Sequence, residues 1–425
     1  MKIILTTFTS LFLLNACASQ VSDERKEALA RQPAVTVETA IGPLELPSPF
    51  TTESAVKLSE IVEWPEGKTP TAPAGFRVHR FADDLRHPRS TYVSPAGEVF
   101  VVESNTRNSA DRIQRLIDED GDGTVDRREV LIEELNQPFG MLILDGYFYV
   151  ANTDATVRFP YETGQPTLDP DAGEPILQTP PRGYNNHWTR NLLAGKEGEK
   201  IYVSVGSGSN VGENGLEAEE NRATILEINP DGSGMREYAT GLRNPVGMDW
   251  NPITGELWTA VNERDKLGDN LVPDYLTSVE EGAFYGWPFS YYGQIEDPRW
   301  AEDSHPDMVA QALVPDVPLG PHTASLGLAF YTGEAFPEEY RNGAFVGQHG
   351  SWNRSNFTGY KVVFVPFDDA GNPQQPEDFL TGFIADADAG QVWGRPVGVS
   401  LHTDGSLLVC DDDAGIVWRV VADTK

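Results

Sequence analysis

One pattern, met six times along the chain, constrains its fold more than its length does. A turn-opening residue leads into a short apolar strand, a turn carrying Gly or Asp, and a second apolar strand. The copies are "RHPRSTYVSPAGEVFVVES", "NQPFGMLILDGYFYVANT", "HWTRNLLAGKEGEKIYVSVGS", "RNPVGMDWNPITGELWTAVNE", "ASLGLAFYTGEAFPEEYRNGAFVGQHGS" and "GRPVGVSLHTDGSLLVCDDD". Further β-rich runs such as "ATILEINPDGS" and "YKVVFVPFDDAGN" follow them, and 40 Gly and 31 Pro supply turns. Hairpins repeated this way, each unable to bury its apolar faces alone, fit the blades of a β-propeller. A two-sheet sandwich does not call for six similar hairpins. The expectation is an all-β, six-bladed β-propeller over residues 72–425, its ring closed by N- and C-terminal strands that share a blade.

The chain begins "MKIILTTFTSLFLLNACASQ", an apolar run too short for a comfortable membrane span and ending in small residues. Residues 1–17 therefore read as an export signal. Leu14-Asn15-Ala16-Cys17 resembles the lipobox of bacterial lipoproteins, which implies lipidation of Cys17, a periplasmic location and an anchor in a bacterial membrane, the outer one favoured. Cys410 would then be the single cysteine left, and no intrachain disulfide could form. Residues 18–71, rich in Pro, Glu and Ala without periodicity, suit a tether or a wrapping arm.

The formal net charge of −33 repels polyphosphates and argues against nucleic acid as a partner. On such a surface a group of cations is informative. In a propeller the loops entering each blade's first strand gather at one channel mouth. The residues opening these repeats include His187 with Arg190, Arg243 with Asn244, and Arg395, with Lys361 in a neighbouring strand. Singly, an Arg before Asn-Pro also serves to hold a turn, and a histidine to fill a core. Together they ask for an anionic ligand with several carboxylates or phosphates, which guanidinium forks pair bidentately.

The runs "NHWTRNL", "GLRNPVGMDW", "NERDKLGDNLVPDYLT", "GQHGSWNRSNFTGYKVVFVPF" and "GRPVGVSLHTDGSLLVCDDDAGIVWRV" resemble the sorbosone dehydrogenase family, grouped with the soluble quinoprotein sugar dehydrogenases. That resemblance, from about residue 72 onward, implies a six-bladed propeller that binds pyrroloquinoline quinone (PQQ) and calcium. It implies that His187 is the base, with Arg190 beside it, and that Arg243, Asn244, Lys361 and Arg395 clamp the cofactor. The segment Asn262 to Asp269 is similar to a calcium-holding loop, with backbone carbonyls near Arg264 and Asp265, although the Gly-Pro of the glucose dehydrogenases is missing. Their acidic partner of the histidine is missing too: "VGSGSN" offers Ser207, Ser209 and Asn210, so Asn186 or the loop carrying His349 is left to assist the base.

A second cation site is visible without any family. "DEDGDGTVDRRE" sets Asp118, Asp120, Asp122, Asp126 and Glu129 at positions one, three, five, nine and twelve of a calcium loop, with Gly123 at the sixth. Its flanks read as strands, so a structural calcium loop between propeller strands is expected. The aromatic run "GAFYGWPFSYYGQ" either stacks on sugar or packs within its blade.

Three function classes follow. The first is a PQQ- and calcium-dependent oxidoreductase acting on a sugar or sugar aldehyde, passing electrons to a separate cytochrome or quinone, since no CxxCH haem motif occurs. A calcium-dependent lactonase-like hydrolase would need Glu, Asn and Asp at the repeat openers. A non-catalytic scaffold would not need a base among convergent cations.

Overall fold

The computed structural model describes residues 21–180 and 185–423. Six four-stranded antiparallel sheets carry the repeats. Blade 1 is built from Pro88–Val93, Val99–Glu103, Arg112–Ile117 and Arg127–Ile132. Blade 2 runs Gly140–Leu144, Tyr147–Ala151, Ala155–Pro160 and Glu174–Gln178; blade 3 runs Arg190–Ala194, Ile201–Val205, Thr224–Ile228 and Arg236–Thr240. Blade 4 comprises Pro245–Trp250, Leu257–Val261, Pro273–Ser278 and Val317–Pro321, and blade 5 Ser325–Phe330, Gly343–Gln348, Lys361–Pro366 and Glu377–Leu380. In blade 6 the strands Pro396–Leu401, Leu407–Asp411 and Ile416–Ala422 are joined by Phe76–Ala82 from the other end of the chain, with Trp418 opposite Arg80 and Val420 opposite Val78. Each first strand contacts the next around the ring, and that of blade 6 contacts that of blade 1. The chain is a closed six-bladed propeller.

Why these segments become strands is written in their burial. Second strands such as "VFVVE", "IYVSV" and "LLVCD" are buried along their whole length, because a neighbouring blade covers each face. Unbroken apolar runs are the sequence form of such strands. Fourth strands such as "EPILQ" and "REYAT" meet solvent and are correspondingly mixed.

The inner ring demands small residues. Phe139, Val246, Leu326 and Val397, one from the start of each of four first strands, meet in one apolar cluster. The residue after each is glycine. A Cβ on Gly140 would lie 2.8 Å from the Arg190 carbonyl, on Gly247 2.6 Å from that of Leu326, on Gly327 2.3 Å from that of Val397, and on Gly398 2.7 Å from that of Arg89. Neighbouring backbones approach too closely for any side chain there.

Residues 21–71 lie against the ring. A helix at Asp23–Ala30, capped by Ser22, leads to a hairpin of Val35–Thr39 and Gly42–Leu46. Phe50 N–H then donates to Leu267 O at 2.8 Å in the blade 4 rim, Lys57 N–H to Trp352 O at 2.9 Å in blade 5, and Glu60–Ile61 pairs in parallel with Gln391–Val392 before blade 6. Trp64 is buried among Phe383, Trp393 and Trp418, its indole N–H 3.3 Å from Asp411 Oδ2. The export signal and Cys17 lie outside the described residues.

Candidate active site at the channel mouth

His187 stands in the loop before the first strand of blade 3 and is only 8% exposed. Its Nδ1 lies 3.0 Å from Ser207 O and 2.9 Å from Ser207 Oγ. That hydroxyl donates onward to Ser209 O at 2.6 Å, so it accepts from the imidazole. Two acceptors at Nδ1 assign its proton there and leave the lone pair on Nε2, where the Asn186 amide nitrogen sits at 3.3 Å. Burial, and after it the charge of Arg243, holds the imidazole pKa well below 6.5. A Cβ on Gly206 would fall 2.3 Å from Asn244 Oδ1 and 2.5 Å from His187 Cβ, so glycine lets this loop close on both.

The remaining sequence-derived residues divide. Arg190 is fully buried at the channel layer, the position Phe139 and Val246 hold in their blades, and its guanidinium donates to His187 O at 2.8 Å and Thr189 O at 2.9 Å. Burial and then Arg222 push its pKa down to about 9. It thus sits beside the base as expected, with its donors spent on backbone carbonyls, so that it fixes the histidine's backbone.

The expected role of Arg243 is corrected. Its Nε donates to Asn210 O at 3.0 Å, Nη1 to Asn262 O at 3.1 Å and to Glu263 O, and Nη2 to Asn210 Oδ1 at 2.9 Å and Asp265 Oδ2 at 3.1 Å. All five guanidinium donors are used within the protein. Arg243 therefore clamps two loops together rather than a ligand. Asn244 keeps a buried Oδ1 with no partner among the described residues.

Lys361 opens the third strand of blade 5 and pairs with Asp378 on the fourth, in a lateral groove with Phe357 and Phe383. A third strand is two positions out from the channel, so this lysine does not join His187. Arg395 and His349 do meet: Arg395 Nε donates to His349 O at 3.0 Å, and His349 Nε2 lies 2.9 Å from Asp412 Oδ1. Burial, then Arg395, lowers the His349 pKa.

Two residues here were not singled out from sequence. Asp412, in the quoted "VCDDDAG", accepts from both His349 and Arg89. Burial alone would raise its carboxyl, but His349 and Arg89 outweigh that and keep it ionised. Arg89 occupies in "HPRS" the place Arg190 holds in "WTRN", and its guanidinium lies 5.3 Å over the Trp188 ring. Aligning the six openers column by column would have found it. Its Nε is buried without a partner among the described residues.

The expected calcium-holding carbonyls do not fit an ion. Arg264 O accepts Val272 N–H at 3.2 Å, while Asp265 O accepts Asn210 Nδ2 at 3.0 Å and the Arg264 guanidinium. The Arg264 guanidinium thus already stands against the Asp265 carbonyl, its charge balanced by Asp297. No step is derived through an ion there. At the opposite end of the propeller, carboxylate oxygens of Asp118, Asp120 and Asp126 lie within 4.8 Å of one another. Asp122 is outside this group and accepts Thr124 N–H at 2.8 Å. Glu129 is corrected: Arg115 Nε reaches it at 3.0 Å and Arg127 pairs with it, so it cannot turn inward as the twelfth ligand.

The chain is similar to known proteins along most of its length. An uncharacterised protein of Borreliella burgdorferi is 28% identical over 83% of this chain and 90% of its own. A pyrroloquinoline quinone-dependent sugar dehydrogenase of Hypocrea jecorina is 23% identical over 82% of this chain and 88% of its own. The Trichoderma reesei carbohydrate-active enzyme of family AA12 superposes with a TM-score of 0.71 at 20% identity, covering 83% of this chain and 98% of that one. The family model described as TrAA12-like matches residues 70–278 and 300–423, and with the propeller and its histidine mouth in place the chain belongs to the TrAA12-like family.

Proposed function

We propose that this protein is a PQQ-dependent sugar oxidoreductase with His187 as its base. The observation that carries the reading is the imidazole: buried, neutral, protonated at Nδ1, with its Nε2 lone pair beside the Asn186 amide nitrogen at 3.3 Å. Beside His187 is an acceptor without a donor, Asn244 Oδ1; beside Trp188 is a donor without an acceptor, Arg89 Nε. One planar ligand bearing both an N–H and carboxylates would satisfy the two, and PQQ has both. When bound, that quinone would supply the two-electron acceptor. Asn244, Arg89 and Arg395 would hold it, with Trp188 along its face.

His187 takes a hydroxyl proton from the sugar at Nε2. The positive charge this creates sits beside Ser207 O and Ser207 Oγ, which keep accepting from Nδ1–H. General bases of this kind contribute roughly 10²–10⁴ in rate. The low pKa keeps the base ready below pH 6.5, while Arg190 and Arg243 fix the loops around it. The chain's similarity to the Hypocrea jecorina sugar dehydrogenase supports the substrate class, and the sorbosone-like motifs support an aldose or sugar aldehyde. We propose further that electrons leave to a separate acceptor, that Cys17 anchors an exported protein, and that calcium binds at Asp118, Asp120 and Asp126 as a structural ion.

The test is titration of the purified protein with PQQ, followed by absorbance, and dye reduction with a panel of aldoses and sugar aldehydes. Saturable binding with sugar-dependent reduction is expected. His187→Ala should still bind PQQ and lose turnover by about 10² or more. Absence of PQQ binding, or cofactor-free lactone hydrolysis, would overturn the reading.

A further inference from the structure

Among the described residues, 21–69 and 279–299 lie outside the family match. The structure brings them together on the mouth side. Leu46 and Phe50 of the arm pack with Tyr285, Tyr291 and Tyr292 of the insertion. The insertion leaves the third strand of blade 4 and climbs back to the rim, where Trp287 Nε1 donates to Asn210 O at 2.9 Å and Asp297 pairs with Arg264. Between arm, insertion and the rims of blades 3, 4 and 5 opens a cavity of about 990 Å³. Ligand pockets span roughly 300–1,000 Å³, so it has room for more than one sugar ring.

The loop that carries Ser207, the partner of His187, runs on to this cavity. Asn210 lines it and is the residue that Arg243 grips through both its carbonyls. Arg264 and Lys266 line it, and Asp265 between them faces Arg243. The lining carries four cations and four carboxylates, a neutral balance on a chain of −33. Several are already satisfied: Lys26 by Asp23 at 2.9 Å, Arg264 by Asp297, and the Glu213 carboxylate by Asn210 and Val211 N–H. The side chains of Glu53, Asn214 and Lys266 have no such partner among the described residues. An acceptor, an amide and a donor, with Phe50 as an apolar face, suit a ligand of alternating hydroxyls and C–H faces.

We propose that this cavity binds further neutral sugar units of an oligosaccharide whose reducing-end unit is at His187. This rests on the proposed sugar oxidation for the position of the first unit, but the binding itself does not need the cofactor. The experiment has two arms. With the PQQ-loaded protein, kcat/KM is measured for glucose, cellotriose and maltotriose, in wild type and in Glu53→Ala/Lys266→Ala. At least one trisaccharide should exceed glucose by about tenfold, and the double variant should lose that gain while keeping its rate on glucose. In the second arm, calorimetry on the cofactor-free protein follows the non-oxidisable cellotriitol and maltotriitol, one of which should bind wild type and fail to bind the variant. Oxidation of glucose without a trisaccharide gain and without alditol binding would overturn the cavity's role. Variant-sensitive alditol binding in a protein that oxidises no sugar would leave the cavity standing and remove the oxidoreductase reading.

Discussion

The inner ring and the N-terminal arm hold this molecule together by opposite means. In the ring, backbones of adjacent first strands meet so closely that Gly140, Gly247, Gly327 and Gly398 have no room for a methyl group. The arm touches the ring at separated points, among them single backbone hydrogen bonds from Ala40, Phe50 and Lys57, a two-residue strand at Glu60–Ile61, and the buried side chains of Leu46 and Trp64. Rigid mutual packing repeats in sequence because every blade faces the same constraint. A draped segment answers to a different surface at each step, so it shows no period.

The hardest test of that contrast is Gly327→Ala. Its Cβ would sit 2.3 Å from a backbone oxygen on a strand that is itself packed on both sides. Overpacking of this kind costs about 3 kcal/mol or more, and denaturant unfolding should show it as a loss for the whole propeller. Trp64→Ala should cost up to roughly 3 kcal/mol, because part of the strain can be relieved by releasing the arm alone. Limited proteolysis should then cut within residues 50–70 while the ring stays intact; simultaneous loss of ring and arm would mean that the arm belongs to the cooperative core.

A smaller effect separates the mouth from the ring around it. His187 binds fewer protons in the folded state than its ordinary value near 6.5 allows in the unfolded one. Its contribution is therefore present above pH 6.5 and lost as pH falls below it, by at most about 1.4 kcal/mol per pH unit. Burial pushes Asp411 and Glu263 the other way, each up to about 7, so their contributions decline as pH rises from ordinary carboxylate values toward 7. The two carboxylates outweigh the one imidazole, so stability should rise as pH falls from 6.5 to 5, and His187→Ala should steepen that rise. A variant with an unchanged slope there would show that the imidazole is not buried neutral.

The smallest effect is expected at the far end of blade 1. Calcium should raise the melting temperature by a few degrees through binding to the folded state, and Asp118→Ala should abolish that increment without changing turnover. Glu129→Gln should keep the calcium response but lose some stability, because its carboxylate serves Arg115 and Arg127. Loss of the calcium response in Glu129→Gln would return it to the loop's ligands.

Much of the fold was readable because hydrophobic periodicity and turn residues are local signals. The six hairpins, the continuous apolar second strands and the closing strand at residues 76–82 all follow from them. The convergence of His187, Arg243 and Arg395 at one mouth followed from the same repeat. What these side chains do once there did not. Arg190 and Arg243 carry the residue type of a ligand clamp, yet one sits in the apolar channel layer and the other spends all five donors on two loops. Lys361 was misplaced because being near in sequence to a rim loop is not the same as being on a first strand. Arg264 and Asp265 were expected to offer free carbonyls, yet both already accept hydrogen bonds within the protein.

The sequence by itself determined the number of blades, their order and which end of the ring would gather His187, Arg243 and Arg395, since each depends on residues close together in the chain. Only the tertiary structure decided which cations are neutralised, which histidine nitrogen carries the proton, and that the arm and the 279–299 insertion wall one cavity. Those outcomes depend on partners between about 20 and 300 residues away, and the free energy of a buried charge is set by such partners rather than by its neighbours in sequence.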